Sequence, residues 1–212
     1  MRFLPDRFWP EPRFLLWLAL AILISFVFSL SVAVGVGFSA TAIENGPQEN
    51  VEIAQLLVTA GLFATTAIAG RGPGAPAMMG LSLIFGVMGL REFETPMDND
   101  VLAYLAGHDV RTHWAILAVA VAAALAVRDR QWTWWQHAKA SAPVWLPVIA
   151  AALVVLIGLQ AEELADVTPD GRWHDMLEWL EETLEVCAYG VAVATGAWML
   201  SLRQRPDEAD PS

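Results

Sequence analysis

The sequence predicts an all-α, polytopic membrane protein: a bundle of about six transmembrane helices with both termini in the cytoplasm. Three observations carry that expectation. Of the 212 residues, 56% are hydrophobic and 17% are charged, where a soluble domain carries about 25% charge. The apolar residues gather into runs long enough to cross a hydrocarbon core of about 30 Å. The positive charges fall overwhelmingly on one side of those runs, as the positive-inside bias requires.

Residues 1–13 carry Arg2, Arg7 and Arg13 ahead of a long uncharged stretch. That stretch exceeds the apolar core of a signal peptide and has no convincing small-residue cleavage site, so it reads as a retained first span over 14–38. The turn-rich acidic segment Ser39–Asn50 leads into span 2 over 51–69. The prolines of Arg71-Gly-Pro-Gly-Ala-Pro76 then forbid a continuous helix.

Span 3, over 77–94, is apolar only from Ala77 to Leu90. That run reaches about 21 Å at the helical rise, so completing the crossing draws Arg91, Glu92 and Glu94 into the outer leaflet. Span 4, over 110–127, has the same shape in reverse, with Asp109, Arg111 and His113 ahead of its apolar part. The segment Arg128–Ser141 mixes basic residues with Trp132, Trp134 and Trp135, which suits an interfacial helix near Gln131–Lys139.

Span 5, over 143–164, ends in Gln160, Glu162 and Glu163, followed by Asp166. After a turn at Thr168-Pro169-Asp170-Gly171, with Asp170 placed to cap the next helix, span 6 runs over 174–202. The spans together form one transmembrane domain, 14–202, and 203–212 reads as a disordered cytoplasmic tail.

With the N-terminus inside, the cytoplasmic segments hold Arg2, Arg7, Arg13, Arg71, Arg128, Arg130, Lys139, Arg203 and Arg205, and the outer face only Arg91, Arg111 and Arg172. The reversed topology would invert that bias. Composition, with Arg favoured over Lys and abundant Ala, Val, Leu and Trp, suits a bacterial inner membrane. The net charge of −11 argues against a nucleic-acid partner, which needs a basic face. The lone Cys187 allows no internal disulfide and no cysteine-based metal motif.

The same topology gathers most of the acids at the outer ends of the spans. In span 6, His174, Glu178, Glu181 and Glu185 fall within about 40° of one another on a helix, flanked by Glu182 and Tyr189. Span 2 contributes Glu52 and Gln55, span 3 Glu92, span 4 His113 and span 5 Glu162. Carboxylates with imidazole suit Mn, Fe, Zn or Ca, and helical bundles build such sites from facing helices. The expected metal-site residues are therefore Glu52, Glu92, His113, Glu162, Glu178, Glu181, Glu182 and Glu185. Arg91 is the expected structural ion-pair partner, because an Arg inside a span needs a counter-charge from a neighbouring helix.

No Glu-x-x-His di-iron pair, His-Glu-x-x-His, Gly-x-Ser-x-Gly or Walker loop is present. The expected function is an inner-membrane protein with a periplasm-facing carboxylate/His cluster, the divalent-metal site of a membrane enzyme. The alternative is a non-catalytic subunit of a larger membrane complex, in which the cluster is an ion-pair network. A transporter or proton conductor ranks third, because the cytoplasmic half of spans 1, 5 and 6 is almost purely apolar. Gly86, Gly89, Ser25, Ser29, Gly35, Ala60 and Ala64 read as small residues that let helices approach.

Overall fold

The structure, a computed structural model, describes residues 11–38, 46–69, 75–91, 142–169 and 171–204, together with His113, Ile116, Leu117, Ala120, Val121 and Ala124. Helix accounts for 94% of it, and no strand occurs among the described residues. The helices are α1 (Pro12–Val36), α2 (Pro47–Ala69), α3 (Ala75–Arg91), α4 (Ala142–Asp166) and α5 (Arg172–Gln204). Of these, α1, α2 and α5 combine the length and the apolar composition needed to cross a membrane, and α3 contains a shorter apolar run, Met78–Leu90.

Local chemistry explains the helix ends. Pro12 occupies the first turn of α1, where its missing N–H costs nothing. At the other end Gly37 takes a φ of 96°, and its N–H bonds to the Ala33 carbonyl at 3.0 Å. Glycine adopts that backbone without a steric penalty. Helix α2 opens with Pro47, one turn before the Val51 expected as the start of span 2. This earlier start brings Gln48 out of the expected loop and onto the helix.

Helix α5 is the axis of the bundle, packing against α1, α2 and α4, while α2 also carries α3. The core gathers Phe14 and Leu18 of α1, Leu56 and Phe63 of α2, Met78 and Phe85 of α3, and a long run of α5 from Ala188 to Met199. Phe63 stacks on Phe85 at 5.8 Å, and Phe14 stacks on Trp198 at 5.2 Å. By contrast, Leu16, Leu23, Ile24 and Val34 of α1 are exposed on the bundle's outer surface, the surface a lipid chain would cover.

Cross-helix contacts fix the directions. Ser29 meets Thr183, while Phe14 meets Trp198, so α1 and α5 are antiparallel. Gln55 lies near Gly190 and Leu62 near Gly196, so α2 runs parallel to α5. Ser82 donates to the Ala60 carbonyl at 2.8 Å and Gly89 packs on Leu56, making α3 antiparallel to α2. Gly158 faces Glu181 and Leu184, whereas the Ala165 carbonyl meets His174, making α4 antiparallel to α5. Helices α3 and α4 therefore point the same way.

Small residues set the interhelical spacing only in part as expected. Gly86 and Gly89 lie against α2, but Gly35 has open space around its Cα. Of the expected span over 110–127, His113, Ile116, Leu117, Ala120, Val121 and Ala124 are helical, form one stripe and are all exposed. The expected interfacial helix near Gln131–Lys139, the cap at Asp170 and residues 205–212 of the tail lie outside the described residues.

Candidate functional site

One end of the bundle is polar. There α2 and α5 begin and α1 and α4 end, so the antiparallel register brings the N-terminal turns of one pair level with the C-terminal turns of the other. On α2, Gln48, Glu52, Gln55 and Thr59 recur at i, i+4, i+7 and i+11, which holds them on one face. Gln48, Glu52 and Thr59 are buried, at 0%, 2% and 0% exposure, and Gln55 is half-buried.

Opposite them, α5 buries Thr183 and Glu185, the latter at 8% exposure. The two helices are joined through α1: the Gln48 amide donates to Ser29 Oγ at 2.7 Å, and Ser29 hydrogen-bonds the Thr183 hydroxyl. Thr183 also donates to the Trp179 carbonyl one turn back, at 2.7 Å. About two turns deeper on α2, the Gln55 amide donates to Ser25 Oγ at 3.3 Å. Hydrogen bonds of this kind hold helices together where water is absent.

The acids of α5 divide by position. His174 Nε2 lies 3.0 Å from Glu178 Oε1, and His174 Nδ1 lies 3.0 Å from the Ala165 carbonyl, so this pair clips α5 to the end of α4. Glu181 and Glu182 are half-buried, and Glu181 lies beside Gly158 of α4. Glu185 is buried and accepts a 3.4 Å hydrogen bond from the Tyr189 hydroxyl one turn on. Glu162 is exposed on α4.

Among the expected site residues, then, Glu52 and Glu185 are sunk in the bundle, Glu181 and Glu182 stand at its margin, and Glu178 is engaged by His174. His113 is helical and exposed, on the stripe shared with Ile116 and Leu117. Arg91 ends α3, on the side of α2 where Gly89 packs against Leu56 and Leu57, one turn from Glu52. The Arg91 side chain and all of Glu92 lie outside the described residues. Among the described residues no group of three or more His, Cys, Asp or Glu is placed to hold a metal ion.

Gln48 and Thr183, which the sequence reading does not single out, and Ser29, which it takes only as a small packing residue, tie three helices together at the level of the acids. The signal was present in the spacing of Gln48, Glu52, Gln55 and Thr59, but counting Gln48 as loop concealed it. Above this layer, Phe38 meets Trp179 edge-on with ring centroids 5.3 Å apart and covers the α1–α5 seam.

Comparison with known proteins finds no family model, no curated relative and no solved structure that matches this chain. Fold and site define its class from physical chemistry alone: an all-helical protein with helices fit to cross a membrane and a polar layer buried at one end.

Proposed function

We propose that the chain is a six-span protein of the bacterial inner membrane whose polar layer is a periplasm-facing, cation-binding pocket. The carrying observation is the burial of Glu52 on α2 and Glu185 on α5, at 2% and 8% exposure, in adjacent helices at one end of the bundle. Carboxylates at such depth are costly unless a positive charge or a proton meets them. Glu181 and Glu182 stand at the margin of the same layer.

The helix directions support six spans. Because α3 and α4 point the same way, a chain whose helices all cross the bilayer must cross an odd number of times between Arg91 and Ala142. One further span, at the apolar run 114–127, satisfies this. The excess of Arg and Lys on the segments opposite the polar layer supports both termini in the cytoplasm and the acids outside.

A divalent metal ion is the first ligand to test, since carboxylate oxygens favour hard cations. The chain purified in mild detergent at neutral pH, without chelator, should carry close to one equivalent of metal by elemental analysis, lost in Glu52→Gln and in Glu185→Gln. Metal-free wild-type protein that also fails to take up Mn, Fe, Zn or Ca would overturn the reading.

A second reading follows from the placement of Arg91. The packing of Gly89 on Leu56 and Leu57 sets the end of α3 beside the turn that carries Glu52. In that reading the guanidinium supplies the positive charge, the layer is structural and the protein is a non-catalytic subunit. It expects metal-free protein, with Arg91→Leu destabilising the wild type but not a Glu52→Gln background.

A further inference from the structure

A groove of about 410 Å³ runs between α1 and α5, open on the side of the bundle. That volume lies within the range of roughly 300–1,000 Å³ usual for small-molecule sites. Its walls are apolar, with Trp17 and Ile24 on α1 facing Val193, Ala194 and Ala197 on α5. The small side chains of α5 create the space. Ser25 and Gln55 supply its polar edge.

That edge holds two spare donors beside one buried acceptor without a partner, Gln55 Oε1. The Gln55 amide nitrogen spends one of its two N–H groups on Ser25 Oγ. The Ser25 hydroxyl accepts that bond and keeps its own proton. Neither residue makes another hydrogen bond among the described residues. Gly190 lies beside this edge: a β-carbon there would fall 3.5 Å from Gln55 Nε2, an ordinary contact. Unmet donors in a membrane interior carry a cost that a suitable acceptor removes.

Depth narrows the choice of acceptor. Ser25 lies about 16 Å along the axis from the Val36 end of α1, near the middle of a hydrocarbon core of about 30 Å. The ester carbonyls of a phospholipid stay at the interface, and a charged headgroup would be costly at this level. We infer that the groove binds a membrane-dissolved, uncharged carbonyl compound of the quinone class. A ring oxygen accepts from Gln55 Nε2 and Ser25 Oγ, and the alkyl or isoprenoid tail lies along Trp17, Ala194 and Ala197. The inference does not rest on the cation reading, since Glu52 and Glu185 do not line the groove.

The test uses the full chain in detergent, titrated with decyl-benzoquinone and followed by quenching of tryptophan fluorescence. Saturable quenching should appear, with a component missing from Trp17→Phe, and decylbenzene, which has no carbonyl, should fail to compete. Gln55→Leu should weaken binding about tenfold, and Ala194→Phe, which fills the groove, should abolish it. Melting curves show which variants are folded, and either folded variant suffices. Non-saturable quenching, competition by decylbenzene as effective as by the quinone, or unchanged affinity in a folded Gln55→Leu or Ala194→Phe would overturn the inference.

Discussion

Gly190 of α5 lies directly against Ser25 of α1: a β-carbon built on Gly190 would fall 2.5 Å from Ser25 Oγ and 3.5 Å from the Ala21 carbonyl. The approach of these two helices therefore depends on a missing side chain on one and a small hydroxyl on the other. Membrane helices commonly use small residues in this way, because van der Waals packing and interhelical hydrogen bonds replace the hydrophobic drive available in water.

Gly190→Ala should accordingly force α1 and α5 apart and lower stability by about 1–3 kcal/mol, the usual cost of overpacking. Thermal unfolding in detergent reads the loss directly. Because the closest collision is with the Ser25 oxygen, Ser25→Ala should recover most of it in the double variant, and the recovery is the coupling between the two sites. Simple additivity of the two substitutions would show that the seam closes elsewhere.

Ser29 joins three helices, accepting from Gln48 and bonding Thr183. Replacing it with Ala leaves two buried polar groups short of a partner. The expected cost is modest, about 0.6–1.7 kcal/mol, because groups in a membrane-embedded unfolded state also find partners. A double-mutant cycle of Ser29→Ala with Thr183→Val should give a positive coupling energy, while Ser29→Ala with Ser31→Ala should not. Ser31 is exposed and, among the described residues, bonds only within its own helix, to the Val27 carbonyl.

How much of this was legible in the sequence varies with the physics of each part. Apolar run length announced the helices, because spanning a bilayer imposes a length that few other structures need. Helix α5 was likewise legible as the bearer of the acidic stripe. Which acids are buried was not, because burial depends on the partner helix: Glu178 and Glu185 lie on the same stripe, yet His174 holds one at the margin and α5's neighbours enclose the other. Gln48 was lost for a different reason. A proline read as part of a loop was instead the first residue of a helix, a position where proline is favoured.

His174 presents both ring nitrogens to acceptors, the Ala165 carbonyl and Glu178, each at 3.0 Å. The ring thereby ties α5 to α4 across the turn at Thr168–Gly171. His174→Phe keeps the bulk but removes both contacts, so amide hydrogen exchange should accelerate in 164–178 while the core of α5 beyond Val186 stays protected. The expected cost is about 1 kcal/mol or a little more. Acceleration spread evenly along α5 would mean that the clip supports the whole bundle rather than this hairpin.

The parallel course of α3 and α4 makes a topological prediction that needs no ligand. In intact cells of a bacterial host, on a Cys187→Ser background, single cysteines at Glu49, Thr95 and Val167 should react with a membrane-impermeant maleimide from outside. Cysteines at Arg71, Ser141 and Arg205 should react only after the membrane is opened. The decisive pair is Thr95 and Ser141, which bracket the stretch between α3 and α4. If α3 and α4 both cross the bilayer, their common direction requires an odd number of crossings between them, and these two positions lie on opposite sides. Labelling of both from the same side would mean that α3 or α4 does not cross the bilayer.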